Sequence, residues 1–230
     1  MKNNKIILPR KNKDGKYRVS YSQINSWNEK KAFNTLNGKA ITGKEGYILD
    51  YFLNHEFPPS MMDVYAPWGS KVEDAICMGI YDGFDKQEIE ILKSIDTLGV
   101  FQSEVSIDFG DFCLEGFIDD TNEDRSIIRD YKTASESSAK KYSTLEYRQL
   151  EVYALDYYKK TGLIPHTEVC LILREGSHIK PPMKVAGTRI IPRSIAESTL
   201  NEVEQWVINT VSEISTCYKV WLKINGVNKI

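Results

Sequence analysis

The chain is poor in the residues that build soft-metal and redox centres. Its 230 residues include four cysteines and three histidines. Cys77, Cys113, Cys170 and Cys217 are widely scattered, with no Cys-x-x-Cys pair. Their neighbours are mostly apolar, as in Val169-Cys170-Leu171. They read as reduced core cysteines, and neither a zinc nor an iron–sulfur site is expected. Long apolar runs are missing too: none approaches the roughly 20 residues of a membrane-spanning helix. The N-terminus is basic without the apolar core of a signal peptide. A soluble, cytoplasmic protein with no membrane partner is the expectation. Nor does charge of one sign dominate. Lys and Arg number 30 against 32 Asp and Glu, a net charge of -2, so no global positive field points to a polyanionic partner. There is no internal repeat and no low-complexity segment.

Hydrophobic residues make up 41% of the chain. That is enough to bury a full core, as one domain with elaborations or as two small lobes. The charge, though nearly balanced, is uneven. Lys2, Lys5, Arg10, Lys11, Lys13, Lys16 and Arg18 crowd the first 18 residues against a single acid, Asp14. A second basic stretch runs through Arg174, Lys180, Lys184, Arg189 and Arg193. Both could contact phosphates; the alternative is a solvated tail and a solubilising surface.

Periodicity divides the chain. Ser20 and Ser22 offer helix caps before a helix from Gln23 to about Asn34. A second helix is expected over Gly43–His55, broken by Phe57-Pro58-Pro59-Ser60. A third spans Trp68–Met78 after Pro67, and a fourth Asp85–Leu98 with Ile89, Leu92 and Ile95 at apolar positions. The period then shortens. Val100–Phe109, Phe112–Thr121 and Ser126–Thr133 read as three strands. Thr144–Lys160 is a helix ending at Thr161-Gly162, Thr167–Arg174 a buried strand, and Lys184–Ile191 a further strand. Ile195 to about Lys223 is a long helix. The expected fold is α/β: a mixed β-sheet core (helix, three strands, helix, strand) flanked by helices, with a helical N-terminal elaboration and a long C-terminal helix. The expected division is a basic segment (1–19) and one domain (20–230). That domain comprises the helical elaboration (20–98), the sheet core (99–192) and the C-terminal helix (193–230).

One constellation carries chemistry. Gly116-Phe117-Ile118-Asp119-Asp120 is followed ten residues later by Asp130-Tyr131-Lys132. Strand side chains alternate faces, so Asp130 and Lys132 share one. Thr121-Asn122-Glu123-Asp124-Arg125 is rich in turn formers. If the loop runs from about Asn122 to Ile127, Asp119 falls opposite Asp130 and Phe117 opposite Lys132. A tighter turn would slide the carboxylates apart. Two carboxylates can hold a divalent ion on oxygen, and a lysine can offset charge beside it. Metal-dependent cleavage of a phosphodiester is the chemistry most in need of such a set. A polar hairpin with solvated charges is the competing reading.

These residues, in this order, resemble the PD-(D/E)xK nuclease superfamily, with its RecB-type and phage-exonuclease-type branch the closer match. Gly116-Phe117-Ile118-Asp119 is similar to that branch's glycine-x-x-aspartate strand, without the superfamily's naming proline. Asp130-Tyr131-Lys132-Thr133 resembles its Asp-Tyr-Lys-Thr strand, and Gln149-Leu150-Glu151-Val152-Tyr153 its Gln-x-x-x-Tyr helix. Gly69-Ser70-Lys71-Val72-Glu73 resembles the helix that brings a further ligand, and Ser20-Tyr21-Ser22-Gln23-Ile24 the serine-rich opening. The matches extend over roughly residues 20 to 175.

The resemblance implies a restriction-endonuclease-like fold. It implies Asp119 and Asp130 as metal ligands, the Tyr131 carbonyl as a backbone ligand and Lys132 as the catalytic lysine. Glu73 stands where the RecB type usually has histidine, a change that favours Mg²⁺ or Mn²⁺. Alternatively, Glu73 is an ordinary helix-surface acid beside Asp74. Gln149 and Tyr153 would brace the site or a phosphate; Tyr153 could equally pack with Leu150, Ala154 and Tyr157. Arg148 is a candidate phosphate contact. The cysteine arrangement of the branch's iron–sulfur members is missing, so no cluster is expected. The implied activity is Mg²⁺- or Mn²⁺-dependent hydrolysis of DNA, as an exonuclease in phage-type replication, recombination or degradation, in the host cytoplasm if phage-encoded. The alternatives are a structure- or sequence-specific endonuclease, and an inactive DNA-binding or assembly protein of the same fold.

Overall fold

The computed structural model describes residues 11–28, 33–34, 40–41, 43–53, 62–142, 147–177 and 182–224. Lys2, Lys5, Arg10, the Phe57–Ser60 break, Thr144 and Lys180 lie outside the described residues. In chain order the elements begin with β1 (Tyr17–Val19), α1 (Tyr21–Asn28), β2 (Phe33–Asn34), β3 (Ala40–Ile41) and α2 (Gly43–Tyr47). Next come α3 (Met62–Met78), α4 (Lys86–Lys93), β4 (Val100–Asp108), β5 (Phe112–Thr121) and β6 (Ile127–Ser135). The last are α5 (Glu136–Tyr142), α6 (Arg148–Thr161), β7 (His166–Glu175), β8 (Lys184–Arg193) and α7 (Glu197–Ile224). This is the mixed α/β architecture expected. Six strands form one mixed sheet of order β1-β5-β6-β7-β8, with β4 paired to β5, and β2 and β3 form a separate antiparallel pair. No helix among the described residues is long and apolar enough to cross a membrane.

The chain divides into two compact units built from interleaved stretches. One takes residues up to Pro58, Val105–Gly116 and residues from Asn201 onward; the other takes Pro59–Glu104 and Phe117–Leu200. In the first, β1 lies parallel to the start of β5, Tyr17 beside Phe112 and Val19 beside Leu114. Its core is aromatic, with Trp27, Tyr47, Phe52 and Tyr218 buried together with Ile214 and Leu222. Helix α2 continues as a π-helical turn over Ile48–Phe52, where Leu53 N–H reaches the Ile48 carbonyl at 3.1 Å. Trp27 Nε1 donates to Glu213 Oε2 at 2.8 Å, so the ring is buried without orphaning its N–H.

In the second unit the end of β5 pairs antiparallel with β6, β6 runs parallel to β7 over its whole length, and β7 pairs antiparallel with β8. Parallel neighbours need a long crossover, and α5 and α6 provide it. Val169, Cys170, Leu171 and Ile172 of β7 are all fully buried, which accounts for their unbroken apolar run. Helix α3 packs Val72 and Ala75 in one core cluster with Tyr131, Cys170 and Ile172. Buried Glu88 on α4 completes a capping box with Asp85 and accepts the Val185 N–H at 2.8 Å.

Several boundaries differ from the expected ones. Phe33 lies in β2 rather than in the first helix, paired with Ile41. Helix α3 starts at Met62 and runs through Pro67. Six residues into a helix, proline forfeits one ladder bond that the remaining turns offset. Helix α4 stops at Lys93, where the Ser94 hydroxyl takes the Ile91 carbonyl at 2.7 Å. The polar, serine-rich α5 carried no periodic signal.

Candidate active site

The hairpin between β5 and β6 sets the register. Asn122 Oδ1 accepts the Ile127 N–H at 2.9 Å, the Arg125 N–H reaches the Asn122 carbonyl at 3.0 Å, and Asp124 accepts the Ser126 N–H at 3.0 Å. Arg125 adopts the left-handed φ of 61° that closes the loop. Thr121 therefore pairs with Ile128 and Asp120 with Arg129. One step further along this register, Asp119 stands across from Asp130, as the longer loop required. There the regular ladder gives way. Asp119 Oδ2 accepts the Tyr131 N–H at 2.8 Å, a side chain taking a donor that a strand would otherwise use.

Asp130 is fully buried. Its Oδ2 receives the Lys132 ammonium at 2.6 Å and the Tyr147 hydroxyl at 2.9 Å. Its Oδ1 is buried with no hydrogen-bond partner. Lys132 Nζ also reaches the Tyr131 carbonyl at 3.2 Å and lies 5.9 Å from the centre of the Tyr147 ring. Burial alone would lower the lysine pKa, but the charges of Asp130 and Asp119 outweigh it and hold the pKa above its ordinary value. Asp119 is pushed up to about 7, first by burial and then by the Asp130 charge, against the opposing pull of Lys132 and the Tyr131 N–H.

Glu73 comes within electrostatic reach of the same set. Burial raises its pKa, Lys132 lowers it and Asp130 raises it again. Its carboxylate accepts from Gln102 Nε2 at 2.7 Å. Gln102 sits in β4 with a left-handed φ of 51°, rare for a non-glycine residue and costly by about 1–3 kcal/mol. Helix α3 comes close to β6 near Gly69, where an added Cβ would stand 3.5 Å from Thr133 Oγ1.

On α6, Gln149 Nε2 donates to the Tyr153 hydroxyl at 3.0 Å, and Tyr153 is buried. Its burial agrees with the packing reading of Tyr153. Arg148 lies 3.7 Å from Glu151. Of the second basic stretch, Lys184 pairs with Asp85 at 2.7 Å and Arg189 with Glu136 at 3.0 Å. Arg174 stacks over Tyr65 at 4.2 Å.

Sequence reasoning passed over three contributors. Tyr147 directly precedes the Gln149 helix, yet no motif marked it. Gln102 had no signal. The third is a buried charge network beneath Tyr131. The Tyr131 hydroxyl donates to Asp120 Oδ2 at 2.7 Å. Asp120 also accepts the Leu98 and Gly99 N–H groups, at 2.9 and 3.2 Å, and lies 3.5 Å from Arg129. Arg129 forks onto Glu168 at 2.6 and 2.7 Å. Adjacent aspartates on a strand face opposite ways, so Asp119 serves the site and Asp120 the interior.

Among the described residues, no three His, Cys, Asp or Glu side chains are grouped to hold a metal ion. The donors present are nonetheless of the hard kind. They are a buried aspartate, Asp130, a half-buried one, Asp119, whose pKa the Asp130 charge raises, and a carboxylate oxygen, Asp130 Oδ1, with no partner. A divalent cation suits such oxygens and would relieve the repulsion.

No protein-family model matches the chain, and no curated protein sequence matches it. Its structure is similar to the crystal structure of an exonuclease-designated protein from Eubacterium rectale. The TM-score is 0.51 at 16% identity, covering 92% of this chain and 83% of that one. A weaker likeness, TM-score 0.40 at 12% identity, is to LHK-Exo in complex with dAMP, covering 90% of this chain and 93% of that one. The first likeness bears out the fold class.

Proposed function

We propose that this chain is a Mg²⁺- or Mn²⁺-dependent deoxyribonuclease of the PD-(D/E)xK superfamily, RecB or phage-exonuclease type. It hydrolyses DNA phosphodiester bonds as an exonuclease in phage-type replication, recombination or degradation. The observation that carries this reading is the half-buried Asp119 beside fully buried Asp130, with Lys132 bound to one oxygen of Asp130 and the other oxygen unpartnered. The exonuclease designation of the Eubacterium rectale protein agrees with it.

In this reading Asp119, Asp130 and the Tyr131 carbonyl would hold the cation, with Glu73, now bonded to Gln102, as a further candidate ligand. The ion, when bound, supplies Lewis-acid polarisation of the phosphate. The chain's own part falls to Lys132. Kept protonated by Asp130 and Asp119, it donates hydrogen bonds toward attacking water or a phosphoryl oxygen and stabilises charge that grows there. Arg148 meets a flanking phosphate, and Gln149 with Tyr153 holds the start of α6 in place.

The test is incubation with linear, circular and single-stranded DNA in Mg²⁺, Mn²⁺ or EDTA. Degradation of linear DNA only, abolished by EDTA, is expected. Cutting of circular DNA would make the protein an endonuclease. No cleavage of any substrate would leave a nuclease-fold binding protein and overturn the proposal.

A further inference from the structure

We infer that Tyr147 is a positioning residue of this site, fixing the Asp130 carboxylate so that Oδ1 is presented to a divalent cation. The inference rests on the cation-binding part of the proposal above.

Among the described residues two donors reach Asp130, and both take the same one of its two oxygens. Lys132 Nζ lies 2.6 Å and Tyr147 Oη 2.9 Å from Oδ2. Oδ1 is left buried and unpartnered. A buried carboxylate oxygen without a partner costs about 1–3 kcal/mol, and a carboxylate free to turn about χ2 would share its donors between both oxygens. Two donors arriving on one oxygen from different elements remove that freedom. Lys132 comes from the same strand, two residues on. Tyr147 comes from the residue that precedes α6. Either donor alone leaves the carboxylate free to swing about it; the pair fixes its plane.

The tyrosine is itself held. Its ring lies 6.2 Å from that of Tyr142, centre to centre, and over it sits the Lys132 ammonium. It is the link between Asp130 and the helix carrying Gln149 and Tyr153. The arrangement is that of an outer ligand partner: a group that does not touch the ion but orients one that does. Loss of such partners typically weakens metal binding about 10–100-fold.

Tyr147→Phe is the decisive variant, because it deletes the hydroxyl and keeps the ring contacts that hold the segment. Tyr158→Phe is the control, since it removes a hydroxyl from the same helix that bonds Glu197 at 2.6 Å. Mn²⁺ is titrated calorimetrically into parent and variants, with melting curves in EDTA on the same samples. The expected result is binding weakened about 10–100-fold in Tyr147→Phe, parental binding in Tyr158→Phe, and cooperative melting in both. Should Tyr147→Phe melt early, titration below its transition gives the same comparison on folded protein. Equal Mn²⁺ affinity in parent and Tyr147→Phe overturns the inference alone. A parent that binds no Mn²⁺ overturns the cation site and the inference together. A parent that binds Mn²⁺ but cuts no DNA, with weakened binding in Tyr147→Phe, supports the inference and overturns the nuclease reading.

Discussion

Asp119 holds its proton far more tightly than an ordinary aspartate, with a pKa of about 7 against 3.8. The folded state therefore binds more protons than the unfolded chain between those values, and stability falls as pH rises through that window. Below about pH 3 both states are largely protonated and the penalty nearly vanishes. Above pH 7 the whole penalty applies, up to about 4 kcal/mol. Asp119→Asn keeps an acceptor for the Tyr131 N–H and removes the charge. It should raise the melting temperature of metal-free protein clearly at pH 8 and by much less at pH 4.5. An equal effect at both pH values would contradict the burial argument. Beside the catalytic task proposed for it, Lys132 is the charge partner of a fully buried carboxylate. In single-turnover assays, Lys132→Ala should lower cleavage by orders of magnitude with DNA affinity nearly kept, and Lys132→Arg should also be poor. Melting in EDTA should reveal a folding cost as well. A variant cutting at the parental rate would remove Lys132 from the chemistry. Asp119, Asp130 and Lys132 were legible in the sequence because strand alternation and loop length fix their faces. Tyr147 was not, because its meeting with Asp130 depends on where α6 begins.

At the scale of elements, periodicity found those that bury one face and missed those held by other means. The parallel strands β6 and β7 and the amphipathic α7 announced themselves, and Gly162 closes α6 where expected, in the left-handed conformation. Helix α5, polar and short, did not. Helix α3 outran its expected start, continuing through Pro67 at the loss of one ladder bond. Gly69 sits inside that helix with room for a methyl group, since the nearest atom would be at ordinary contact distance. Gly69→Ala should stabilise the protein by about 0.5–1 kcal/mol in urea unfolding, as helix propensity predicts. A loss would show that α3 must approach β6 more closely than a Cβ allows. Glu88 serves two elements at once, capping α4 and taking a β8 N–H. Glu88→Ala should cost about 2–4 kcal/mol, more than an exposed cap alone, because a buried N–H loses its partner. A cost near 1 kcal/mol would mean that another acceptor takes over.

For the whole molecule, the near-zero net charge makes local pairing decisive in any contact with a polyanion. Of the second basic stretch, Lys184 and Arg189 are already engaged by Asp85 and Glu136. If these cations follow a DNA backbone, neutralising Arg174, Lys184, Arg189 and Arg193 together should flatten the salt dependence of binding. The log–log slope should fall by fewer than the four contacts a count of charges suggests. An unchanged slope would make the stretch a solubilising surface. The fold class, the order of the longer elements and the sharing of one strand face by Asp130 and Lys132 were already written in the sequence. These follow from side-chain period and turn chemistry, which are local. It took the folded chain to leave Asp130 one bare oxygen, to bring the Gln102 amide to donate to Glu73, and to turn Asp120 inward to Tyr131 and Arg129. Each of these depends on groups from separate elements meeting; Gln102 and Glu73 meet at an exposed position, whereas Asp130 and Asp120 meet their partners in a space from which water has been excluded. There a donor given to one oxygen is denied to the other.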